Sequence, residues 1–356
     1  MTYLDYQATT PLAPEALQAM LPWLTEQHAN PHSPHRPGRA AKAAVEVARD
    51  AVAALLPPGG RVVFTSGATE ALNWAIKGTG GPIVTIATEH AAVLDTVAAE
   101  AARGRATTVL PVDAAGRVTP EVPAGTGLVA AMLVNNEIGT IHPIAALAEA
   151  AHRAGALLLC DAVQGYGRVP IPDGCDMVAL SAHKIHGPKG IGALWIRDGV
   201  DLAPLLHGGD QEGGRSGTLS PALCAGLGVA ARLMGERADE DAAHVARLFA
   251  IARGRLAGWS LNGSLEHRYR GNLNVRRAGL DVARLMSDFR DLAFSAGSAC
   301  ASGSGRPSHV LKAIGLTDAE ARSSIRLGFG RYTKEEELTA ALDRIVAAAD
   351  AQRVAA

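Results

Sequence analysis

The stretch Met177-Val178-Ala179-Leu180-Ser181-Ala182-His183-Lys184 passes directly from an apolar run into a polar turn. A short apolar run with such an end is typical of a buried strand in an α/β sheet. Lys184 would then lie at the carboxyl ends of the strands, where ligands of α/β folds collect. A second apolar run, Ala156 to Cys160, ends in the same way at Asp161. We therefore expect an amine and a carboxylate at one edge of a single sheet.

Around these residues, strand-like runs alternate with alanine-rich helical runs from about Arg61 to Arg197. This alternation predicts an α/β fold with a largely parallel sheet. Strands are predicted at 61–65, 83–87, 128–134, 156–160 and 177–180, with helices at 68–77, 91–102 and 144–154. The run 190–196 is predicted to return antiparallel. From about 223, helices with a break near Gly235 precede short strands between helices, which predicts a smaller α+β unit.

The chain length of 356 residues predicts two domains, since a single core rarely grows that large. We place a large domain at 12–235 and a small domain at 1–11 and 236–356. A composition of 48% hydrophobic and 19% charged residues is typical of a soluble globular protein. Only 4% of residues are aromatic and the net charge is -1, which argues against nucleic acid or anionic lipid as a partner. No secretory signal or membrane span is visible, so we expect a cytoplasmic protein.

A glycine turn between a predicted strand and helix, Phe64-Thr65-Ser66-Gly67-Ala68-Thr69-Glu70, is a candidate anion site. Backbone N–H groups at a helix start, with the Thr69 hydroxyl, can bind a phosphate. Ser181 and His183 could add hydrogen bonds to it. A plain turn with an N-cap is the alternative.

Two further predicted strands end in polar residues at the same edge. His90 could stack on an aromatic ring or exchange protons near neutral pH, although a lone histidine is more often structural. Asn136, in Asn135-Asn136-Glu137, would need hydrogen-bond partners if buried, and a ligand could provide them.

Cys300 lies in a small-residue polar loop, 295–305, unlike the three cysteines in apolar segments. An exposed thiol in a suitable environment can be a nucleophile, and an incidental loop cysteine is the alternative. Arg326 lies inside an apolar strand and needs a partner such as a substrate carboxylate. His28, His32 and His35 have possible metal spacing, but the prolines among them break the helix that would align them, so we predict no metal site.

A lysine able to form a Schiff base and a carboxylate facing a pyridine nitrogen are the pair that pyridoxal phosphate requires. With the other motifs, the chain resembles the cysteine desulfurases of the class V aminotransferase family, which are fold-type I pyridoxal phosphate enzymes. The resemblance covers nearly the whole chain. It is most specific at the segments 66–70, 135–139, 181–184, 215–218 and 297–300. The N-terminal pair Tyr6-Gln7 departs from the more usual small or polar pair.

The resemblance implies a large domain with a mainly parallel seven-stranded sheet flanked by helices. It implies that Lys184 binds the cofactor covalently, that Asp161 pairs with the ring nitrogen and that His90 stacks on the ring. Gln164 and Asn136 would approach the ring hydroxyl. The implied phosphate site comprises Gly67, Ala68, Thr69, Ser181 and His183, with Thr218 reaching the neighbouring subunit's phosphate in a homodimer. The implied substrate carboxylate site comprises Asn30, Asn136 and Arg326.

The same resemblance implies that Cys300 accepts sulfur from L-cysteine as a persulfide, with alanine as the other product. A scaffold or sulfur-carrier protein would then take the sulfur for iron–sulfur clusters or thiolated cofactors. Two alternatives remain open at this point. One is a selenocysteine lyase or another class V enzyme, and the other is a catalytically idle sulfur-transfer subunit.

Overall fold

The computed structural model describes residues 1–296 and 307–354, which form thirteen strands and eleven helices. The strands are β1 (Thr2–Tyr3), β2 (Gly60–Thr65), β3 (Ile83–Ile86), β4 (Thr107–Leu110), β5 (Leu128–Met132), β6 (Leu157–Asp161), β7 (Met177–Ser181), β8 (Gly192–Arg197), β9 (Ser260–Leu261), β10 (Asn272–Arg276), β11 (Leu292–Ala293), β12 (Ser295–Ala296) and β13 (Ser324–Gly328). The helices are α1 (Pro14–Thr25), α2 (Arg36–Ala53), α3 (Ala68–Gly78), α4 (Ala91–Ala102), α5 (Ile144–Arg153), α6 (Pro221–Glu236), α7 (Ala238–Arg255), α8 (Val282–Asp288), α9 (His309–Ala313), α10 (Asp318–Arg322) and α11 (Glu335–Val354).

The large sheet has seven strands in the order β2-β8-β7-β6-β5-β3-β4. All neighbouring pairs are parallel except the two that contain β8, which is antiparallel to both β2 and β7. The predicted α/β fold with a mainly parallel sheet flanked by helices is confirmed, as is the antiparallel return of β8. Every residue of β5 and β7 is buried, as expected for strands covered by helices on both faces.

One strand of this sheet was missed by sequence reasoning. β4 lies at the sheet edge and pairs only with β3 among the described strands. Its residues are half-buried or exposed, so it lacks the continuous apolar run by which its neighbours were recognised. The helix break expected near Gly235 is present, with α6 ending at Glu236 and α7 beginning at Ala238.

A second core lies outside the large sheet. A four-stranded antiparallel sheet, in the order β12-β13-β10-β9, and the two-stranded pair β1-β11 contribute to it. Leu338, Leu342 and Ile345 of α11 are fully buried in this core, so the apolar face of the last helix packs here. β1 brings the first residues of the chain into the same core through Leu4. The domain boundaries given above stay a prediction.

None of the described helices combines the length and apolar character needed to cross a lipid bilayer.

Candidate active site

A cavity of about 710 Å³ lies where β5, β6 and β7 end at their carboxyl termini. Its wall includes Met132 at the end of β5, Asp161 at the end of β6 and Ser181 at the end of β7. This edge is where a parallel sheet places its ligands. Most of the predicted site residues line this one cavity: Gly67, Ala68, Thr69, His90, Asn136, Asp161, Gln164, Ser181, His183, Lys184 and Arg326.

Lys184 ends a single turn of 3-10 helix, Ala182–Lys184, that follows β7 directly. Its Nζ donates hydrogen bonds to two main-chain carbonyl oxygens of the N-terminal segment. One belongs to Gln7, and the other belongs to Ala8 at 2.9 Å. The amine is therefore held at the wall of the cavity by a segment about 176 residues away in sequence.

Asp161 is buried beside this amine, with one carboxylate oxygen accepting the Val163 N–H at 2.9 Å. Burial raises the pKa of the Asp161 carboxyl, while the Val163 N–H and the neighbouring His90 and Lys184 act in the opposite direction. A cationic partner in the cavity would therefore favour the ionised carboxylate. A protonated ring nitrogen is a partner of this kind.

His90 caps the start of α4, where its Nδ1 accepts the Ala92 N–H at 3.1 Å. Burial lowers the pKa of His90, with Lys184 adding to the effect and Asp161 opposing it. The ring is thus favoured in its neutral form with the proton on Nε2. A neutral aromatic ring on the cavity wall is suited to stack on a flat ligand.

The glycine turn at the start of α3 is stabilised by the side chain of Glu70. Glu70 accepts the Ser66 N–H at 2.7 Å and is paired with Arg215 at 2.8 Å. Burial alone would raise the pKa of Glu70, but these hydrogen bonds lower it below its usual value. The carboxylate binds the turn, and Gly67, Ala68 and Thr69 at the start of α3 line the cavity, where an anion site at a helix start would lie.

Gly192 of β8 lies between the two turns of the site, paired with Thr65 on one side and Ser181 on the other. A Cβ at this position would lie 2.4 Å from the Leu180 carbonyl oxygen and 2.8 Å from the main chain of Gly67. Only glycine allows this approach, so the lack of a side chain at Gly192 lets the lysine turn and the glycine turn lie close together.

His183 lies on the same wall, with its Nδ1 3.1 Å from the Thr9 hydroxyl. Burial, together with Lys184 and Lys189, lowers the pKa of His183 to about 4. It is therefore a neutral hydrogen-bonding group at physiological pH, and the positive charge on this side of the cavity comes from the lysines.

Gln164 provides a direct test of whether a pyridoxal ring suits this cavity. Its Nε2 donates to the Gln7 carbonyl oxygen at 3.0 Å, and its Oε1 is buried without a hydrogen-bond partner among the described residues. Buried acceptors are rarely left unpaired. The hydroxyl of a pyridoxal ring could satisfy this oxygen, so the residues present fit the cofactor.

Arg326 of β13 is 3% exposed and also lines the cavity. Its guanidinium donates to Asp5 Oδ1 at 2.8 Å, to Ser295 Oγ at 3.1 Å and to the Asn136 carbonyl oxygen at 3.2 Å. Its Nε is buried without a partner in the described part of the chain. Three of the five N–H donors of the guanidinium are thus used, and an arginine with two donors to spare suits an incoming carboxylate.

Two predicted residues, Asn30 and Thr218, do not line this cavity. Asn30 is exposed, and its side chain accepts the His32 N–H at 2.8 Å. Thr218 is also exposed and does not line the cavity of its own chain. Cys300 lies outside the described residues. Their roles stay predictions.

Sequence reasoning missed Asp5, Gln7 and Ser295, which all line the cavity. Asp5 and Gln7 both belong to the N-terminal segment, in which the pair Tyr6-Gln7 departs from the more usual pair of the family. Within residues 1–296 and 307–354, no group of three or more histidine, cysteine or acidic residues could hold a metal ion. His35, from the rejected histidine cluster, instead caps α2 by accepting the Gly38 N–H.

Comparison with known proteins identifies the family of this chain. The family model described as aminotransferase class V matches residues 2–340. A curated protein of Rickettsia bellii (strain OSU 85-389), named cysteine desulfurase IscS, is 41% identical over 96% of this chain and 90% of its own length. A solved NifS-like protein superposes with a TM-score of 0.89 at 32% identity, covering 97% of this chain and 98% of its own. A second structure, titled SspA in complex with cysteine, has a TM-score of 0.84 at 35% identity, covering 94% of this chain and 100% of its own. The chain therefore belongs to the class V aminotransferase family.

Proposed function

We propose that the protein is a pyridoxal-phosphate-dependent cysteine desulfurase. The observation that carries the proposal is the convergence of Lys184, Asp161, the glycine turn at Gly67 and Arg326 on one cavity. Relatives that cover nearly the whole chain are named cysteine desulfurases, and one neighbouring structure contains cysteine. The resemblance stated from the sequence is thus supported over the full length of the protein.

Pyridoxal phosphate, when bound, supplies an electron sink for the bond changes at the α-carbon of an amino acid. Lys184 would attach it, Asp161 would pair with the ring nitrogen and His90 would stack on the ring. Gln164 and Asn136 would approach the ring hydroxyl. The phosphate would be bound by Gly67, Ala68, Thr69, Ser181 and His183.

The substrate carboxylate would bind at Arg326, with Asn136 beside it and Asn30 as a further proposed ligand. The donor at Arg326 Nε is buried and unpaired among the described residues, which favours an anionic group there. Once the substrate amino group has displaced it, the Lys184 Nζ is the group that would take the α-proton.

Cys300 is the proposed sulfur acceptor. Its Sγ would attack the sulfur of the substrate, and the substrate C–S bond would break. The carbon released by this cleavage would gain one proton, equivalent to the one lost by the Cys300 thiol, and leave as the methyl group of alanine. One cysteine and one thiol thus give one alanine and one persulfide. Cys300 follows Ser295, a cavity residue, by five positions, and five residues can span at most about 17 Å. The chain length between them therefore permits the thiol to reach the cavity.

We further propose a cytoplasmic homodimer in which Thr218 contacts the phosphate bound by its partner. The persulfide sulfur would pass to a scaffold or sulfur-carrier protein for iron–sulfur cluster or thiocofactor synthesis. The small domain that carries Cys300 is proposed to comprise residues 1–11 and 236–356, with the large domain at 12–235.

The test is to incubate the purified, cofactor-loaded protein with L-cysteine, to measure alanine and protein-bound persulfide, and then to add dithiothreitol, which reduces the persulfide, and to measure the sulfide released. Wild-type protein should form all three. Cys300→Ala should retain the cofactor and lose persulfide and sulfide, whereas Lys184→Ala should lose covalent attachment of the cofactor. Continued desulfuration by Cys300→Ala would refute the acceptor role. Protein that takes up no cofactor would support an idle subunit, and a higher kcat/KM for selenocysteine would support a selenocysteine lyase.

A further inference from the structure

Gln7 belongs to the pair Tyr6-Gln7 by which this chain departs from the usual N-terminal motif, and its side chain is anchored at a distance from Lys184. It is 3% exposed, and its Nε2 donates to the Gly271 carbonyl oxygen at 2.9 Å. Its Oε1 rests against the bare Cα of Gly328, where a Cβ would lie only 1.9 Å away. The glutamine is therefore fitted between two glycines of the small-sheet region.

The main-chain carbonyl of the same residue faces the candidate active site. It accepts hydrogen bonds from two residues with proposed roles at the cofactor, Lys184 through Nζ and Gln164 through Nε2. A carbonyl oxygen with two lone pairs can accept both. The bond from the ammonium is charge-assisted and is therefore the stronger of the two.

We propose that Gln7 is a positioning residue for the attachment of the cofactor to Lys184. Its side chain fixes the peptide group that follows Cα, and this peptide group holds the Lys184 amine and the Gln164 amide in their relative places. With Nε2 of Gln164 committed to Gln7, the opposite oxygen of that amide is left for the ring hydroxyl. The inference rests on the proposed role of Lys184 as the attachment point.

A simpler role is that Gln7 only fills space between Gly271 and Gly328. The two roles differ in what the amide contributes. Gln7→Met keeps a long side chain of similar volume and loses the hydrogen bond to Gly271. A space-filling role predicts no effect of this change on the attachment rate, whereas a positioning role predicts slower attachment.

The attachment reaction itself provides the readout. Cofactor-free protein is mixed with saturating pyridoxal phosphate, the amine condenses with the aldehyde and releases water, and borohydride traps the bond at timed intervals. Mass spectrometry of the peptide that contains Lys184 gives the rate. Gln7→Met should attach the cofactor about 3- to 10-fold more slowly, the range expected for loss of one buried hydrogen bond.

Gln352→Ala is the matched control, because that side chain makes two hydrogen bonds to the Asp281 main chain, at 2.9 and 3.2 Å. It should attach the cofactor at the wild-type rate. Melting temperatures of the cofactor-free proteins identify any loss of folding, and Gln7→Ala provides a second variant if Gln7→Met does not fold.

A wild-type rate in folded Gln7→Met would overturn the positioning role and leave the proposed function intact. Absence of label on Lys184 in wild-type protein would overturn both.

Discussion

Replacement of Arg326 by lysine tests how the substrate carboxylate is bound. The guanidinium has five N–H donors, of which three are used by Asp5, Ser295 and the Asn136 carbonyl, and the Nε donor has no partner among the described residues. A lysine ammonium has three donors, enough for these fixed acceptors and none for the substrate. Two guanidinium donors are left for the substrate, so the loss is at least one charge-assisted hydrogen bond of about 1.5–3 kcal/mol, which corresponds to an affinity about 10- to 150-fold weaker for each bond lost.

The assay is a titration of cofactor-loaded protein, followed by the visible absorbance, in a Cys300→Ala background so that sulfur transfer does not follow binding. Cysteamine, which is cysteine without its carboxylate, is the matched ligand. Arg326→Lys should weaken cysteine binding by the stated factor and leave cysteamine binding unchanged. Equal losses for both ligands, or none for cysteine, would show that Arg326 does not bind the carboxylate.

Three other changes have defined outcomes. Glu212→Ala should destabilise the fold by about 3 kcal/mol in denaturant unfolding, because buried Glu212 pairs with Arg49 through two 2.8 Å bonds; an unchanged midpoint would contradict this. Thr69→Val should release pyridoxal phosphate about 2- to 10-fold faster on dialysis if the hydroxyl binds phosphate, and equal retention would exclude that contact. Burial lowers the pKa of His142 from 6.5 to about 4. As the pH falls from 6.5 to 4, His142 therefore takes up a proton in the unfolded chain but not in the folded one. Stability should fall by up to about 3 kcal/mol, and His142→Gln should remove that part of the pH dependence of melting.

The strands and turns that carry Lys184 and Asp161 could be predicted from sequence for a physical reason. Strands buried on both faces are continuous apolar runs, and the polar residues that follow them therefore stand out. β7 and β6 have this form, and both of their polar ends line the cavity. β4 lacks a continuous apolar run because it lies at the sheet edge, where its residues are half-buried or exposed.

The contribution of the N-terminal segment could not be predicted in this way. Lys184 contacts Gln7 and Ala8 across more than 170 positions, and no local pattern encodes such a contact. Likewise, the composition of β13 identified Arg326 as unusual but gave no indication that Asp5 would share its guanidinium. Long-range polar contacts of this kind depend on the packing of the two cores, which periodicity does not describe.

Gly192 has a consequence for protein engineering. The glycine turn and the turn that carries the lysine are aligned by the same residue, since Gly192 pairs with the last residue of β2 and with the last residue of β7. A graft that moved only the loop 66–70 into another scaffold would lose this alignment wherever the recipient has a side chain on the intervening strand. The smallest transferable unit is therefore the three adjacent strands β2, β8 and β7, with the antiparallel β8 between the other two.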